Sequence, residues 1–165
     1  MRRQRESTHS ASSTPRGNRR IHEERAGKHP ELAACPRCRA SYRNGRWTWE
    51  APPIGSYDLL CPACEQIQQD YAGGELRLEG AFVAAHRNEI EGLLRNVEER
   101  EKSEHPLKRI LSIRSEGDAV VVRVTDGKLV TQLGHAVDRA YNGQLELPPT
   151  TSEQSELARG RWRRD

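Results

Sequence analysis

From about residue 75 onward, the apolar and polar positions follow the periods of regular secondary structure. Residues 75–79 alternate polar and apolar side chains, which is the period of a half-buried strand. After Gly80 the apolar period becomes helical and continues to about Lys102, because Pro106 disfavours helical backbone at the residue before it. The apolar stripe of this predicted helix consists of Val83, His86, Ile90, Leu93, Leu94 and Val97.

The remainder of this region predicts a second helix and further strands. The strands are predicted over residues 107–113, 119–124 and 145–147. Thr125 or Asp126 can cap the second helix, which Asn142-Gly143 ends. The order β-α-β-β-α-β is that of a ferredoxin-like fold, with both helices on one face of a four-stranded sheet. We therefore predict an α+β domain over residues 73–148.

The two ends of the chain lack any such period. Residues 1–31 are rich in Arg, Ser, His and Glu, and residues 149–165 begin within a Pro-Pro pair, so both are predicted to be disordered tails. The first tail has a net charge of +4, whereas residues 32–149 have −2, so the isoelectric point near 8.8 reflects the tails. A basic composition alone therefore does not indicate nucleic-acid binding.

Between these regions, residues 32–72 contain all four cysteines, in two matching C-P-x-C clips. Four thiolates from two such clips can surround one zinc ion tetrahedrally, which is the zinc-ribbon arrangement. The predicted ligands of one structural Zn²⁺ are Cys35, Cys38, Cys61 and Cys64. Such a site has no open coordination position, so it serves structure rather than catalysis.

Other uses of the four cysteines fit the sequence less well. A redox C-x-x-C motif needs a thioredoxin-like strand and helix around it, which neither clip has. Two disulfides need an oxidising compartment, but the charged N-terminus is followed by Ser, Thr and Arg rather than by an apolar segment, which favours a cytoplasmic location. An iron–sulfur centre stays open as an alternative, although paired C-P-x-C clips favour zinc.

The segment that follows the first clip is both basic and aromatic. Its candidate nucleic-acid contacts are Arg37, Arg39, Arg43 and Arg46. They alternate with Tyr42, Trp47 and Trp49, and guanidinium groups can grip phosphate while aromatic rings stack on unpaired bases. A small ribbon has few apolar residues, however, so the tryptophans can equally form its core. We favour packing for the tryptophans and phosphate contact for the arginines.

Nothing in the sequence indicates an enzyme, a membrane span or a small-molecule substrate. The six histidines do not cluster, and no nucleophile elbow, phosphate loop, zinc-protease or dinucleotide motif occurs. The acidic run 98–104 is predicted to be a solvated helix end rather than a carboxylate pair. No stretch approaches the 18 apolar residues that a transmembrane helix needs.

The combination of motifs over residues 33–147 resembles an uncharacterised bacterial zinc-ribbon family. The residues concerned are the two C-P-x-C clips, His105-Pro106-Leu107-Lys108-Arg109-Ile110, Val124-Thr125-Asp126-Gly127-Lys128-Leu129, Gly134, Ala136 and Ala140-Tyr141-Asn142-Gly143-Gln144-Leu145. That family is distantly similar to the nuclear-export adaptor of the large ribosomal subunit, also called the nonsense-mediated-decay adaptor. The resemblance implies binding to ribosomal RNA or to a ribosomal surface rather than enzymology.

The chain also departs from the usual pattern of that family. Val124 stands where the family has Thr, Lys128 where it has His, and Thr131-Gln132 where it has an arginine pair. If the family's arginines touch phosphate, this chain lacks two of those contacts, and Lys128 and Arg139 remain as candidates nearby.

Three hypotheses about function follow from these observations. The first is a cytoplasmic, zinc-stabilised, non-enzymatic protein that associates with RNA or the ribosome through its ribbon. The second is a protein–protein adaptor that uses the acidic middle of the chain and helix 81–102 as its docking surface. The third is a redox enzyme, against which the missing catalytic machinery counts.

Overall fold

A computed structural model describes residues 32–149 and 157–165 of the 165-residue chain. Within these residues the fold is α+β, with two β-sheets and four helices, so the predicted fold class is confirmed. None of the helices in this part of the chain combines the length and apolarity needed to cross a membrane. The predicted tail 1–31 and residues 150–156 lie outside the described residues.

The first sheet belongs to the ribbon and has the strand order β3-β2-β1-β4. Its strands are followed by one short helix: β1 Ala33–Ala34, β2 Ser41–Arg43, β3 Arg46–Thr48, β4 Tyr57–Asp58 and α1 Pro62–Gln68. Asn44 and Gly45 join β2 to β3 with φ angles of 48° and 80°. Positive φ at both central residues is typical of a type I′ turn, whose twist matches that of the two strands in a tight β-hairpin.

The second sheet belongs to the larger domain, whose elements largely follow the predicted order. They are β5 Gly74–Glu79, α2 Ala81–Ala85, α3 Arg87–Glu104, β6 Ile110–Glu116, β7 Ala119–Val124, α4 Gly127–Tyr141, β8 Gln144–Glu146 and β9 Ala158–Arg163. The predicted helix 81–102 is divided at His86, where φ is −116° and ψ is 23°. Asp126 caps α4 by accepting a hydrogen bond from the Leu129 amide at 2.8 Å, as its sequence position suggested.

The predicted four-stranded sheet is wrong, because the sheet has five strands in the order β6-β7-β5-β9-β8. In the predicted arrangement, β8 would lie next to β5. Instead, β9 lies between them, parallel to β5 and antiparallel to β8. Residues 158–163 had been assigned to a disordered tail, so a strand between β5 and β8 was not expected.

The predicted disordered tail 149–165 is also wrong for residues 157–165, which contain β9. Its alternating pattern places Gly160 and Trp162 inward and the intervening arginines outward. The Trp162 side chain is fully buried, and its Nε1 donates to Asp138 Oδ1 at 3.2 Å. Burying an aromatic ring of this size outweighs the polar composition of the segment.

The core of the domain lies between the sheet and its helices. Inward residues of the sheet, such as Leu76, Val122 and Trp162, form one buried cluster with residues of α3 and α4, such as Leu94 and Leu133. The two long helices therefore cover the same face of the sheet, as predicted. Among residues 32–149 and 157–165, no helix covers the opposite face, where β5 and β9 present mainly charged side chains.

Arginines of this uncovered face are largely neutralised by carboxylates. Arg77 donates to Glu79 at 2.5 Å and to Glu116 at 2.8 Å, and Arg161 also pairs with Glu79. These hydrogen bonds from the two arginines hold the pKa of Glu79 below its ordinary value. The basic C-terminal run therefore does not produce a strongly positive surface here.

Candidate metal centre

The four cysteines of the two clips converge on one point in the ribbon. Their sulfur atoms all lie within 4.8 Å of one another, and the thiols are free rather than joined in disulfides. The sulfurs of Cys38 and Cys61 are 3.7 Å apart. Cys38 is half-buried and the other three cysteines are buried. The predicted ligand cluster is thus confirmed as a group that could hold one metal ion.

Local backbone structure aims both clips at this point. In the first clip the chain turns back sharply, because the Arg39 amide donates to the Cys35 carbonyl at 2.9 Å and the Cys35 amide to the Ala40 carbonyl at 2.8 Å. In the second clip Cys61 is the N-cap of α1 and Pro62 occupies the first helical turn. The Cys64 amide donates to the Cys61 sulfur at 3.4 Å, which fixes that side chain.

The protonation of the thiols shows the electrostatic character of the cluster. For Cys35, burial is the largest single influence and by itself raises the pKa of the thiol. Hydrogen bonds from the backbone amides of Cys61, Cys38 and Arg37 together outweigh burial and bring that pKa to about 6. Burial raises the pKa of Cys64 to about 11 and raises that of Cys61 further. Four thiolates at these separations repel one another, and a bound dication would compensate that repulsion.

Trp47 is packed, as the sequence analysis favoured, whereas Trp49 is 38% exposed and lies outside the ribbon's buried cluster. Trp47 packs against the cysteine cluster together with Leu60 and Leu107, and its ring lies 5.5 Å from that of Tyr42. Trp49 reaches the larger domain, where its Nε1 donates to the Lys102 carbonyl at 2.6 Å. Both rings thus have structural contacts, and neither is a free stacking platform.

The predicted nucleic-acid contacts do not form one group. Arg37, Arg39 and Arg46 are exposed, and within the described residues none of them has an acidic partner. Arg43 is different, since its Nη1 donates to Glu50 Oε2 at 2.7 Å.

The other two predicted contacts lie on helix α4 rather than on the ribbon. Lys128 is exposed in the first turn of α4, and Arg139 is exposed in its last turn. The two predicted contacts on α4 thus lie at opposite ends of that helix, and neither belongs to the ribbon.

The sequence analysis missed the contacts that join the ribbon to the domain. Leu107 of the loop before β6 packs against the cysteines. The guanidinium of Arg109 lies over the Trp49 ring, 5.3 Å from its centroid. Gln66 Nε2 of the ribbon donates to the carbonyl of Thr125, a residue that is itself hydrogen-bonded to Leu107 and Arg109, at 2.9 Å. These residues lie far apart in the chain, so spacing alone gave no signal of them.

The predicted solvated helix end 98–104 needs correction. Glu98 is buried, and its two oxygens accept from the Ile110 amide at 2.6 Å and from Arg95 at 2.9 Å. Glu101 Oε2 accepts from Lys108 at 2.7 Å and from Gln132 at 2.6 Å. The signal was present, because Glu98 and Glu101 extend the apolar stripe of α3 at helical spacing.

Comparison of the chain with protein-family models, with curated proteins and with solved structures finds no match. The resemblance to the bacterial zinc-ribbon family therefore stays a prediction from the residues.

Proposed function

We propose that the cysteine cluster holds one zinc ion in a structural role. Bonds of about 2.3 Å to a tetrahedral zinc ion place neighbouring sulfurs about 3.8 Å apart. The 3.7 Å between the sulfurs of Cys38 and Cys61 fits that separation, whereas a disulfide would need about 2.05 Å. Four cysteines saturate the ion, so it supplies folding energy and offers no position for substrate.

On this zinc-stabilised ribbon we propose a non-enzymatic, cytoplasmic function in contact with RNA. The observation that supports it is the exposure of Arg37, Arg39 and Arg46 without acidic partners in the described residues. Guanidinium groups that are not neutralised by carboxylates are free to bind phosphate in bidentate fashion. The closed metal site and the structural contacts of both tryptophans leave these arginines as the contact groups of the ribbon. Association with ribosomal RNA is the form that the family resemblance implies.

The salt dependence of RNA binding tests this proposal in the full chain. Each phosphate contact with single-stranded RNA contributes about −0.7 to the slope of log K against log salt, so three contacts contribute about −2. The triple variant R37Q/R39Q/R46Q should flatten the slope by about that amount and keep its metal, because none of the three is a ligand.

A matched control removes the same charge from the uncovered face of the larger sheet. The variant R114Q/R159Q/R163Q should keep the slope of the unchanged protein, because it retains the three ribbon arginines. The basic residues of segment 1–31 are present in the unchanged protein and in both variants, so they cannot cause a difference between them. Equal slopes in both triple variants, or no RNA binding by the unchanged chain, would contradict the proposal.

A second candidate function, a protein–protein adaptor, is favoured by exposed apolar residues on the ribbon. Ile54 is fully exposed, and Tyr57 and Leu32 are 68% and 39% exposed. Single exposed apolar residues are common, but with Trp49 and Tyr71 the described part of the ribbon exposes five large apolar side chains, which suits a protein partner. If this function applies, I54S/Y57S should abolish recovery of a crosslinked protein, while R37Q/R39Q/R46Q should leave that recovery unchanged.

A further inference from the structure

A groove with two unneutralised arginines runs between helices α3 and α4, on the side of the helices away from the sheet. It consists of two adjacent openings of about 340 Å³ each, and Arg100 of α3 and Arg139 of α4 line both. The other lining residues that matter here are Val97, Glu101, Gln132, His135 and Ala136. The two openings together are of the size that a small organic ligand occupies.

The apolar part of the groove and its rim differ in character. Val97 and Ala136 are buried and belong to the core, so they form an apolar floor. Arg100, His135 and Arg139 are exposed above that floor. An apolar floor under a few convergent polar groups is the usual composition of a ligand site.

The charges around the groove leave its arginines available. Among the described residues, the Arg139 side chain makes one hydrogen bond, in which Nε donates to the His135 carbonyl at 3.3 Å. The Arg100 side chain forms no ion pair with any described residue. The acid that lines the groove, Glu101, is held by Lys108 at 2.7 Å and by Gln132 at 2.6 Å. Arg100 and Arg139 therefore remain unneutralised.

Acids that neighbour these arginines in sequence are directed elsewhere. Glu99 pairs with Lys102 at 3.0 Å, and Asp138 Oδ1 accepts from the Gly143 amide and from Trp162. This contrasts with the uncovered face of the sheet, where Arg77 and Arg161 are paired with carboxylates. The groove is thus a region where unpaired guanidinium groups from two helices line one cavity.

We propose that this groove binds the phosphate of a nucleoside phosphate. Arg100 and Arg139 would grip the phosphate oxygens from opposite walls, and His135 would donate a further hydrogen bond. The apolar floor of Val97 and Ala136 would contact the flat face of the base. The nucleoside phosphate is either a free nucleotide or a unit of single-stranded RNA, and the two sources are separated by experiment. The proposal is independent of the ribbon arginines.

Calorimetric titration of the full, metal-loaded chain tests the proposal with AMP, adenosine, inorganic phosphate and a short oligoadenylate RNA as probes. For a free nucleotide, AMP should bind more tightly than adenosine or inorganic phosphate. The variant R100Q/R139Q should weaken that binding by roughly tenfold for each guanidinium lost. The variant R100K/R139K should recover part of the affinity, because it keeps the charge but not the bidentate fork.

Two controls separate this site from the ribbon and from general charge effects. The variant R114Q/R159Q removes two arginines from the uncovered sheet face and should bind AMP unchanged. The ribbon variant R37Q/R39Q/R46Q should also bind AMP unchanged, so failure of the ribbon proposal leaves this one standing. Circular dichroism of each variant checks that the helices are intact.

The outcome for the RNA probe decides the source. If AMP does not bind but the oligonucleotide binds and weakens in R100Q/R139Q, the groove takes phosphates within RNA. If neither probe binds the unchanged chain, or if R100Q/R139Q binds both as tightly as the R114Q/R159Q control, the proposal is overturned.

Discussion

The ribbon and the larger domain are held together by different means. In the ribbon, the buried cluster consists of the four-cysteine group and Ala63, with Trp47, Leu60 and Leu107 packed against it, and the strands have only two or three residues. In the domain, sixteen buried residues form one cluster that includes Trp162. A unit as small as the ribbon buries little apolar surface, so we expect its folding to depend on the proposed metal. The domain has a core of its own.

Metal removal should therefore have the largest effect and should act on only one of the two regions. Structural zinc contributes on the order of 10 kcal/mol or more to the folding of small zinc modules. After chelation, or in Cys61→Ser, residues 32–72 should lose amide protection in hydrogen exchange, while α3, α4 and the five-stranded sheet stay protected.

Restoring zinc to the chelated wild-type chain is the control, and it should return the protection of the ribbon. A metal-free chain with a fully protected ribbon would show that side-chain packing alone suffices there. Loss of protection throughout both regions would show that the domain, too, depends on the metal.

The second prediction acts on the other region. Trp162→Ala should destabilise the domain by about 3–5 kcal/mol, because a fully buried indole leaves a large cavity and Asp138 loses a donor. Urea unfolding followed by circular dichroism measures this loss, and the bound zinc should stay near one ion per chain. Trp49→Ala is the matched control, since that ring is 38% exposed and its removal should cost the domain much less.

These two regions also differ in how far their sequences predicted them. The cysteine spacing predicted the whole ligand cluster, because a metal site needs particular side chains at short, fixed separations. Strand β5 was found because its alternation has large inward residues, Leu76 and Leu78. Strand β9 was missed because its inward residues Ala158 and Gly160 are small, so only Trp162 marked the buried face. Burial of β9 comes from neighbours that local sequence does not specify.

The contacts around Glu98 and Glu101 were missed for a related reason. Their partners lie on other elements: Ile110 begins β6, Lys108 lies in the loop before it, and Gln132 lies on α4. Charge pairs within one helix can be read from spacing, but pairs between elements exist only after the elements have packed. The groove between α3 and α4 is likewise a product of packing.

A third prediction concerns pH and the link between Lys108 and Glu101. The hydrogen bond from Lys108 holds the pKa of Glu101 below its ordinary value. A depressed folded-state pKa contributes stability above the unfolded value of about 4.3, and that contribution is lost as the pH falls through the folded value. Glu101→Gln should therefore cost about 1–2 kcal/mol at neutral pH.

The measurement is urea unfolding of Glu101→Gln and of the unchanged protein, followed by the far-ultraviolet signal of the helices. The difference between their free energies of unfolding should become smaller below about pH 4. Glu99→Gln removes a carboxylate that is 69% exposed and should change stability by less than about 0.5 kcal/mol at any pH. If the difference in the free energy of unfolding between Glu101→Gln and the unchanged protein is the same at every pH, the stabilising role of the ionised Glu101 is contradicted.

The smallest expected effect tests the connection between the two regions. Trp49→Phe keeps an aromatic ring but removes the Nε1 donor to the Lys102 carbonyl, at a cost of about 0.5–1.5 kcal/mol. If the ribbon and the domain unfold together, this change should lower a shared transition. If the two regions unfold separately, Trp49→Phe should increase the temperature difference between their two unfolding transitions. Differential scanning calorimetry distinguishes the two cases.

The position of β9 has a consequence for the timing of folding during protein synthesis. Of the five strands in its sheet, β9 is made last, yet it lies between β5 and β8. A nascent chain that has emerged only as far as β8 has made the apolar residues of both long helices, but the parallel partner of β5 is missing. Until residues 158–163 leave the exit tunnel, one edge of β5 stays open to pairing with other chains. All four cysteines of the ribbon, by contrast, are synthesised before β5 begins, so the proposed metal could bind long before the sheet can close.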